Sequence, residues 1–123
     1  IMAIIKPIFR IFDYDKAIDF YVHCHGFAVD WEHVFEQGAP KYLQVSRGDI
    51  ILHLSEHHGD GSPGVHLHID GFKGLREYHR ELIDKKYKYN RPGLEVPFWN
   101  EKAIVMTVID PVGNQIIFQE ELA

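Results

Sequence analysis

One order of elements, written twice, constrains this chain more than any other feature: a strand, a helix and three strands, then the same five again. Ile4 to Phe12 is apolar with Lys6 and Arg10 interspersed, and is expected to be a strand. Asp13 is placed to cap a helix, and Ala17, Phe20, Tyr21 and Cys24 follow at the i, i+3, i+4, i+7 spacing of an amphipathic one. Gly26 supplies its left-handed stop. Phe27 to Phe35, Tyr42 to Ser46 and Ile50 to Leu54 are expected strands, the last two joined by a tight turn at Arg47-Gly48-Asp49. The order restarts with Val65 to Ile69 as a strand and a helix marked by Leu75, Tyr78, Leu82 and Ile83, running to about Lys86. A weak strand at Glu95 to Phe98 and stronger ones at Lys102 to Ile109 and Gln115 to Gln119 complete it. The turn between the last two is Asp110-Pro111-Val112-Gly113-Asn114.

The halves also match over one junction. Asp13, Lys16, Ala17, Ile18 and Tyr21 align at constant spacing with Asp70, Lys73, Gly74, Leu75 and Tyr78. Residues 1–123 therefore read as a single α+β domain built from two like βαβββ modules, about 4–56 and 65–121. The segment from His57 to Gly64 (His-His-Gly-Asp-Gly-Ser-Pro-Gly) is expected to be a flexible linker, of a kind that permits module swapping between two chains.

Composition excludes several classes of function. Thirteen basic residues against eighteen acidic ones give a net charge of −5, which disfavours a nucleic-acid partner. There is no apolar run long enough to span a membrane, and the opening Ile1 to Lys6 is too short and wrongly flanked for a signal peptide. With a lone cysteine, Cys24, which sits on the apolar helix stripe and reads as a buried thiol, the chain is expected in the cytoplasm. No glycine-rich phosphate loop, nucleophile elbow or paired-cysteine motif occurs. Glu32, Glu56, Glu95 and Glu101 are scattered, and are read either as solvated surface charge or as an acidic lining for a cationic ligand.

The chain resembles the vicinal-oxygen-chelate superfamily of glyoxalases, extradiol dioxygenases and bleomycin-resistance proteins. The resemblance is carried by Ala17-Ile18-Asp19-Phe20-Tyr21, Gly26-Phe27, Arg47-Gly48-Asp49 and Asp110-Pro111-Val112-Gly113-Asn114, in that order and spacing. A closer likeness to the small bleomycin-resistance-like branch rests on Val29-Asp30-Trp31-Glu32, on the run from Leu52 to Gly61 and on Arg91-Pro92-Gly93. It implies paired βαβββ modules, each curling a mixed sheet around a cleft, assembled as a homodimer.

The resemblance also implies a test for metal. Metal-using members draw His or Glu ligands from the first and last strand of each module, and those places fall here on Lys6, His53, Gly64 and Ile117. Only His53 has a suitable donor. A two-residue shift keeps a side chain on the same sheet face and would bring in His66 or His68, yet two places would still lack a donor. We therefore expect no cofactor and no catalytic metal, with His53, His66 and His68 as weak candidates. Of the remaining histidines, His57 and His58 are expected to be solvated in the loop, and His23, His25 and His79 exposed on or beyond helices.

The aromatic residues say more. Trp31, Phe35, Tyr42, Phe98 and Trp99 lie on strands and loops expected to border the cleft, with Trp31 and Phe35 on one face and His33 between them. Trp99 sits in a polar setting, Pro97-Phe98-Trp99-Asn100-Glu101, and the resemblance places there a tryptophan that stacks on flat drug rings. The ligand-binding set is Trp31, Phe35, Tyr42, His53, Phe98 and Trp99. The function expected is a non-enzymatic binder of a flat aromatic, glycopeptide-like ligand that can carry positive charge, acting by sequestration. The alternatives are a metal-dependent lyase or dioxygenase of the same superfamily and a housekeeping metabolite binder.

Overall fold

The computed structural model describes residues 2–87 and 91–122. The chain divides into two compact units, residues 1–63 and 64–123. In the first, β1 (Ile8–Arg10) leads to α1 (Tyr14–Ile18), which widens into a π-helical turn (Asp19–Cys24), and then to β2 (Ala28–Val34), β3 (Lys41–Arg47) and β4 (Ile50–Ser55). In the second, β5 (His66–Ile69) leads to α2 (Leu75–Asp84), then β6 (Leu94–Glu95), β7 (Ala103–Ile109) and β8 (Gln115–Glu121). The sheets have corresponding orders, β1-β4-β3-β2 and β5-β8-β7-β6. In each the first strand runs parallel to the last, and the other pairs are antiparallel. This is the α+β arrangement of eight strands that the repeated element order implies.

Alternation decides which side of each sheet is core. Phe9, Leu43, Val45, Leu52 and Leu54 are fully buried on one side of the first sheet, with Phe20, Tyr21 and Cys24 of the helical segment buried as well. In the second unit, Met106, Ile116 and Phe118 are buried with Leu75, Tyr78 and Leu82 of α2, and Phe72, Tyr78 and Phe118 meet ring to ring. The opposite side of the first sheet carries Trp31, His33, Tyr42, Gln44, Ser46 and His53. That is where polar chemistry accumulates.

Several expectations are corrected. The first strand is shorter than Ile4 to Phe12: Ile8–Arg10 pairs with His53 to Ser55, while Ile4 and Ile5 are exposed. The first helix is not uniform: the His25 N–H donates to the Phe20 carbonyl at 3.0 Å, a five-residue step, before Gly26 stops the helix at φ 77°. Asp13 caps its helix as expected, accepting from the Lys16 N–H at 3.1 Å. Asp70, its match in the other half, does not. There α2 starts at Leu75, after Gly74 at φ 76°, and the Glu120 carboxylate accepts from the Gly74 and Leu75 N–H groups at 3.1 and 3.0 Å. A carboxylate on the last strand thus takes the place of a local cap.

Two histidines and the linker also depart from expectation. His25 is buried, 4.5 Å from Phe20 ring to ring, because the wide helical turn folds it inward. His79 is half-buried, its Nε2–H donating to the Pro92 carbonyl at 2.8 Å. The start of the expected flexible linker is a folded turn. The Ser55 hydroxyl donates to Asp60 at 2.6 Å and accepts from the His57 N–H at 3.0 Å, and the Asp60 N–H donates to the His57 carbonyl at 3.1 Å.

Candidate functional site

The site grows out of a defect in the β2–β3 ladder. Val29 pairs with Val45 and Trp31 with Gln44, so one extra residue, Asp30, is bulged between them. A bulge re-aims a side chain and bends its strand. Here it brings the Asp30 carboxylate to Gln44 and Ser46, each donating to it at 3.0 Å. Beyond the bulge, alternation resumes with Trp31 and His33 outward, and Phe35 follows just past the strand end.

These side chains wall a cavity of about 560 Å³, lined by Trp31, His33, Phe35, Tyr42, His57, Gly59 and Asp60. Trp31 and Tyr42 lie nearly parallel, 11° apart with centroids at 6.0 Å, and make one continuous aromatic wall. Phe35 stands edge-on to His33 at 4.5 Å and to His57 at 6.0 Å. The folded turn from His57 to Asp60 closes one side, so His57 is a lining residue rather than a solvated one. Among the described residues, Asp60 is the one carboxylate of the lining, and no Lys or Arg lines the cavity.

Behind the wall runs a chain of hydrogen bonds. The Tyr42 hydroxyl meets His53 Nδ1 at 2.6 Å, and His53 Nε2 meets Gln44 Oε1 at 3.0 Å. Gln44 Nε2 then donates to Asp30 Oδ2, while the Ser46 hydroxyl donates to Asp30 Oδ1. His53 is half-buried, and burial, with the positive charge of Lys6 adding to it, holds its pKa below the usual 6.5. Burial raises the Tyr42 pKa, and the Asp60 charge raises it further. The Asp30 pKa is lowered, first by its bonds to Gln44 and Ser46. At neutral pH the chain therefore reads phenol, neutral imidazole, amide, carboxylate.

Of the residues marked from sequence, Trp31, Phe35 and Tyr42 line this cavity and His53 sits behind it, 5.3 Å from Trp31 and 5.2 Å from Tyr42. Phe98 and Trp99 belong to the second unit, in the turn after β6. Phe98 is almost wholly exposed, and Trp99, half-exposed, donates its Nε1–H to Gln119 Oε1 at 3.0 Å. His68 Nε2 meets the same oxygen at 3.0 Å. The ligand-binding set expected from sequence left out Asp30, His33, Gln44, Ser46, His57 and Asp60. The alternation Tyr42, Gln44, Ser46 along one strand was the available signal for two of these, Gln44 and Ser46. The scattered acids resolve into local roles: Glu32 accepts from the Tyr14 hydroxyl, and Glu56 from the Lys41 N–H at 3.0 Å.

The residues present do not fit a superfamily-type metal. The ladder sets Ile8, not Lys6, opposite His53, and sets His68, not Gly64, opposite Ile117. That register supplies two imidazoles, but Ile8 and Ile117 carry no donor. Both ring nitrogens of His53 are already engaged, and His68 is tied to Gln119. His66 is exposed on the same strand, opposite Gln115. Among the described residues, no three His, Cys, Asp or Glu side chains converge as a metal would require.

The profile described as "glyoxalase superfamily protein" matches residues 1–123, and the chain belongs to that superfamily. No curated protein matches it. Among solved structures, a bleomycin-binding protein complexed with bleomycin is similar at 19% identity and a TM-score of 0.72, covering 98% of this chain and 99% of that one. An antibiotic-binding protein from Streptomyces is similar at 20% identity and a TM-score of 0.72, with 98% and 97% covered. A glyoxalase family protein from Enterococcus faecalis is similar at 16% identity and a TM-score of 0.67, with 97% and 96% covered. At such identities the likeness is one of fold. Among the described residues, no helix is long and apolar enough to cross a membrane.

Proposed function

We propose that this protein is a non-enzymatic small-molecule binder of the bleomycin-resistance type, holding a flat aromatic ligand in the cavity of the first unit and acting by sequestration. The observation that carries the reading is the composition of that cavity: Trp31, Phe35 and Tyr42 as walls, two histidines and a single carboxylate. A flat ring laid on such a wall gains roughly 0.5–1.5 kcal/mol per aromatic pair beyond the area it buries. Two structural neighbours described as binding bleomycin or an antibiotic support the reading, as does the poor fit of the metal places. Sequestration consumes one site per ligand molecule, so it calls for micromolar affinity or better, about −8 kcal/mol. A homodimer is proposed as the working form, supported by exposed Ile4, Ile5, Ile8 and Phe12 near the first edge strand. Light scattering at micromolar concentration tests it.

Calorimetric titration with bleomycin tests the binding. One site per chain at micromolar Kd or below is expected, weakened by about 1–3 kcal/mol in Trp31→Ala with the fold intact. Indifference of the folded protein to bleomycin and to other flat aromatic ligands would contradict the reading.

A further inference from the structure

The hydrogen-bond chain behind the cavity has a direction, and the direction has a consequence for the ligand. A carboxylate only accepts, so the Gln44 group facing Asp30 is the NH2, and the group facing His53 is the carbonyl oxygen. A carbonyl oxygen also only accepts, so His53 carries its proton on Nε2. Its Nδ1 is then a lone pair, and the Tyr42 hydroxyl donates to it at 2.6 Å. The single phenolic hydrogen is spent there. Tyr42 lines the cavity, and its oxygen, with that hydrogen spent, has acceptor capacity only for a ligand that reaches it. Ser46 holds the second oxygen of Asp30, so the anchor is fixed at both ends of its carboxylate. Asp60, the other oxygen-bearing side chain of the lining, also accepts.

We infer that Asp30, acting through Gln44 and His53, fixes Tyr42 as an acceptor toward the cavity, so that the site selects flat ligands presenting an N–H or O–H donor. This rests on the cavity being a ligand site, as proposed above, and adds which edge of the ligand it reads. Asp30 is a positioning residue lying outside the cavity lining, and its bulge is what connects it to the wall. A ligand whose donor is methylated leaves the Tyr42 oxygen dehydrated and unpaired, which is how a polar wall rejects a close analogue.

Two readouts on the whole chain test this. Correlation of imidazole nitrogens with ring protons by 1H–15N NMR, with His53→Gln to assign the signal, reads the His53 tautomer without any ligand. The Nε2–H form is expected in the wild type, a mixture in Asp30→Asn, and the Nδ1–H form in Gln44→Lys, where only donors face His53. Titration with indole and 1-methylindole reads the preference. Indole should bind at least about fivefold tighter in the wild type, and the ratio should fall below about twofold in Gln44→Lys and in Tyr42→Phe. An Nδ1–H tautomer in the wild type, equal binding of the two probes, or a ratio unmoved while the tautomer flips would each overturn the inference and leave the binder reading standing. A wild type that binds bleomycin but neither probe would overturn the inference alone, and one that takes neither bleomycin nor the probes would overturn the binder reading and the inference with it.

Discussion

The outward faces of the two sheets start from the same strand order and end as different chemistry. In the first, polar groups are strung in series from Ser46 through Asp30, Gln44 and His53 to Tyr42, and the last of them opens on a cavity. In the second, polar groups converge: Trp99 Nε1–H and His68 Nε2 share one acceptor, Gln119 Oε1. A series leaves one unsatisfied end for a ligand. A convergence satisfies itself. The bulge at Asp30 makes the difference in the first sheet, and nothing comparable interrupts the β7–β8 ladder, which stays in register from Ala103 to Ile109.

The second unit should accordingly respond to mutation in stability, and the first in binding. The largest effect is expected at Asn114, whose Oδ1 accepts from the Gly64 and Val65 N–H groups while its Nδ2 donates to buried Asp110. Asn114→Ala removes these three bonds from a buried site, and should cost about 2–4 kcal/mol in urea unfolding. Trp99→Phe comes next. It keeps a ring but removes one of the two donors to Gln119, so about 1 kcal/mol of stability should be lost. A loss from Trp99→Phe as large as that from Asn114→Ala would break the contrast between a shared acceptor and a buried network.

Two smaller effects depend on pH. His53 has a lowered pKa in the folded chain, so the unfolded chain takes up a proton first as pH falls. Stability supported by neutral His53 is present above about pH 6.5 and is lost as pH drops through the window below it. The loss of stability between pH 7.5 and 5 should be shallower in His53→Gln than in the wild type. The Tyr14 pKa is pushed up to about 12, first by burial and then by its bond to Glu32. The unfolded chain ionises first near pH 10, so this contribution is intact below pH 10 and is lost as pH rises toward 12. Phenolate absorbance should show one tyrosine titrating near pH 12, absent in Tyr14→Phe.

Much of this molecule can be read from local pattern, because burial imposes period on the chain. Ala17, Phe20, Tyr21 and Cys24 are all buried as their spacing requires, and Trp31 and Phe35 reach the cavity with His33 between them. The parts that stayed hidden are not local. A bulge belongs to two strands at once, so Asp30 looks like any surface acid until its partner's register is known. The cap on α2 comes from Glu120, 45 residues past Leu75, where no local pattern could show it. His25 is buried by a widened helical turn that no periodicity announces.

The most direct test uses the chain's two tryptophans as separate reporters. Trp99→Phe leaves Trp31 alone in the cavity wall, and Trp31→Phe leaves Trp99 alone beside Gln119. Titrating each with bleomycin and following intrinsic fluorescence should quench Trp31 in a saturable way and leave Trp99 little changed. Saturable quenching confined to Trp99 would contradict the account and move the ligand site to the second unit.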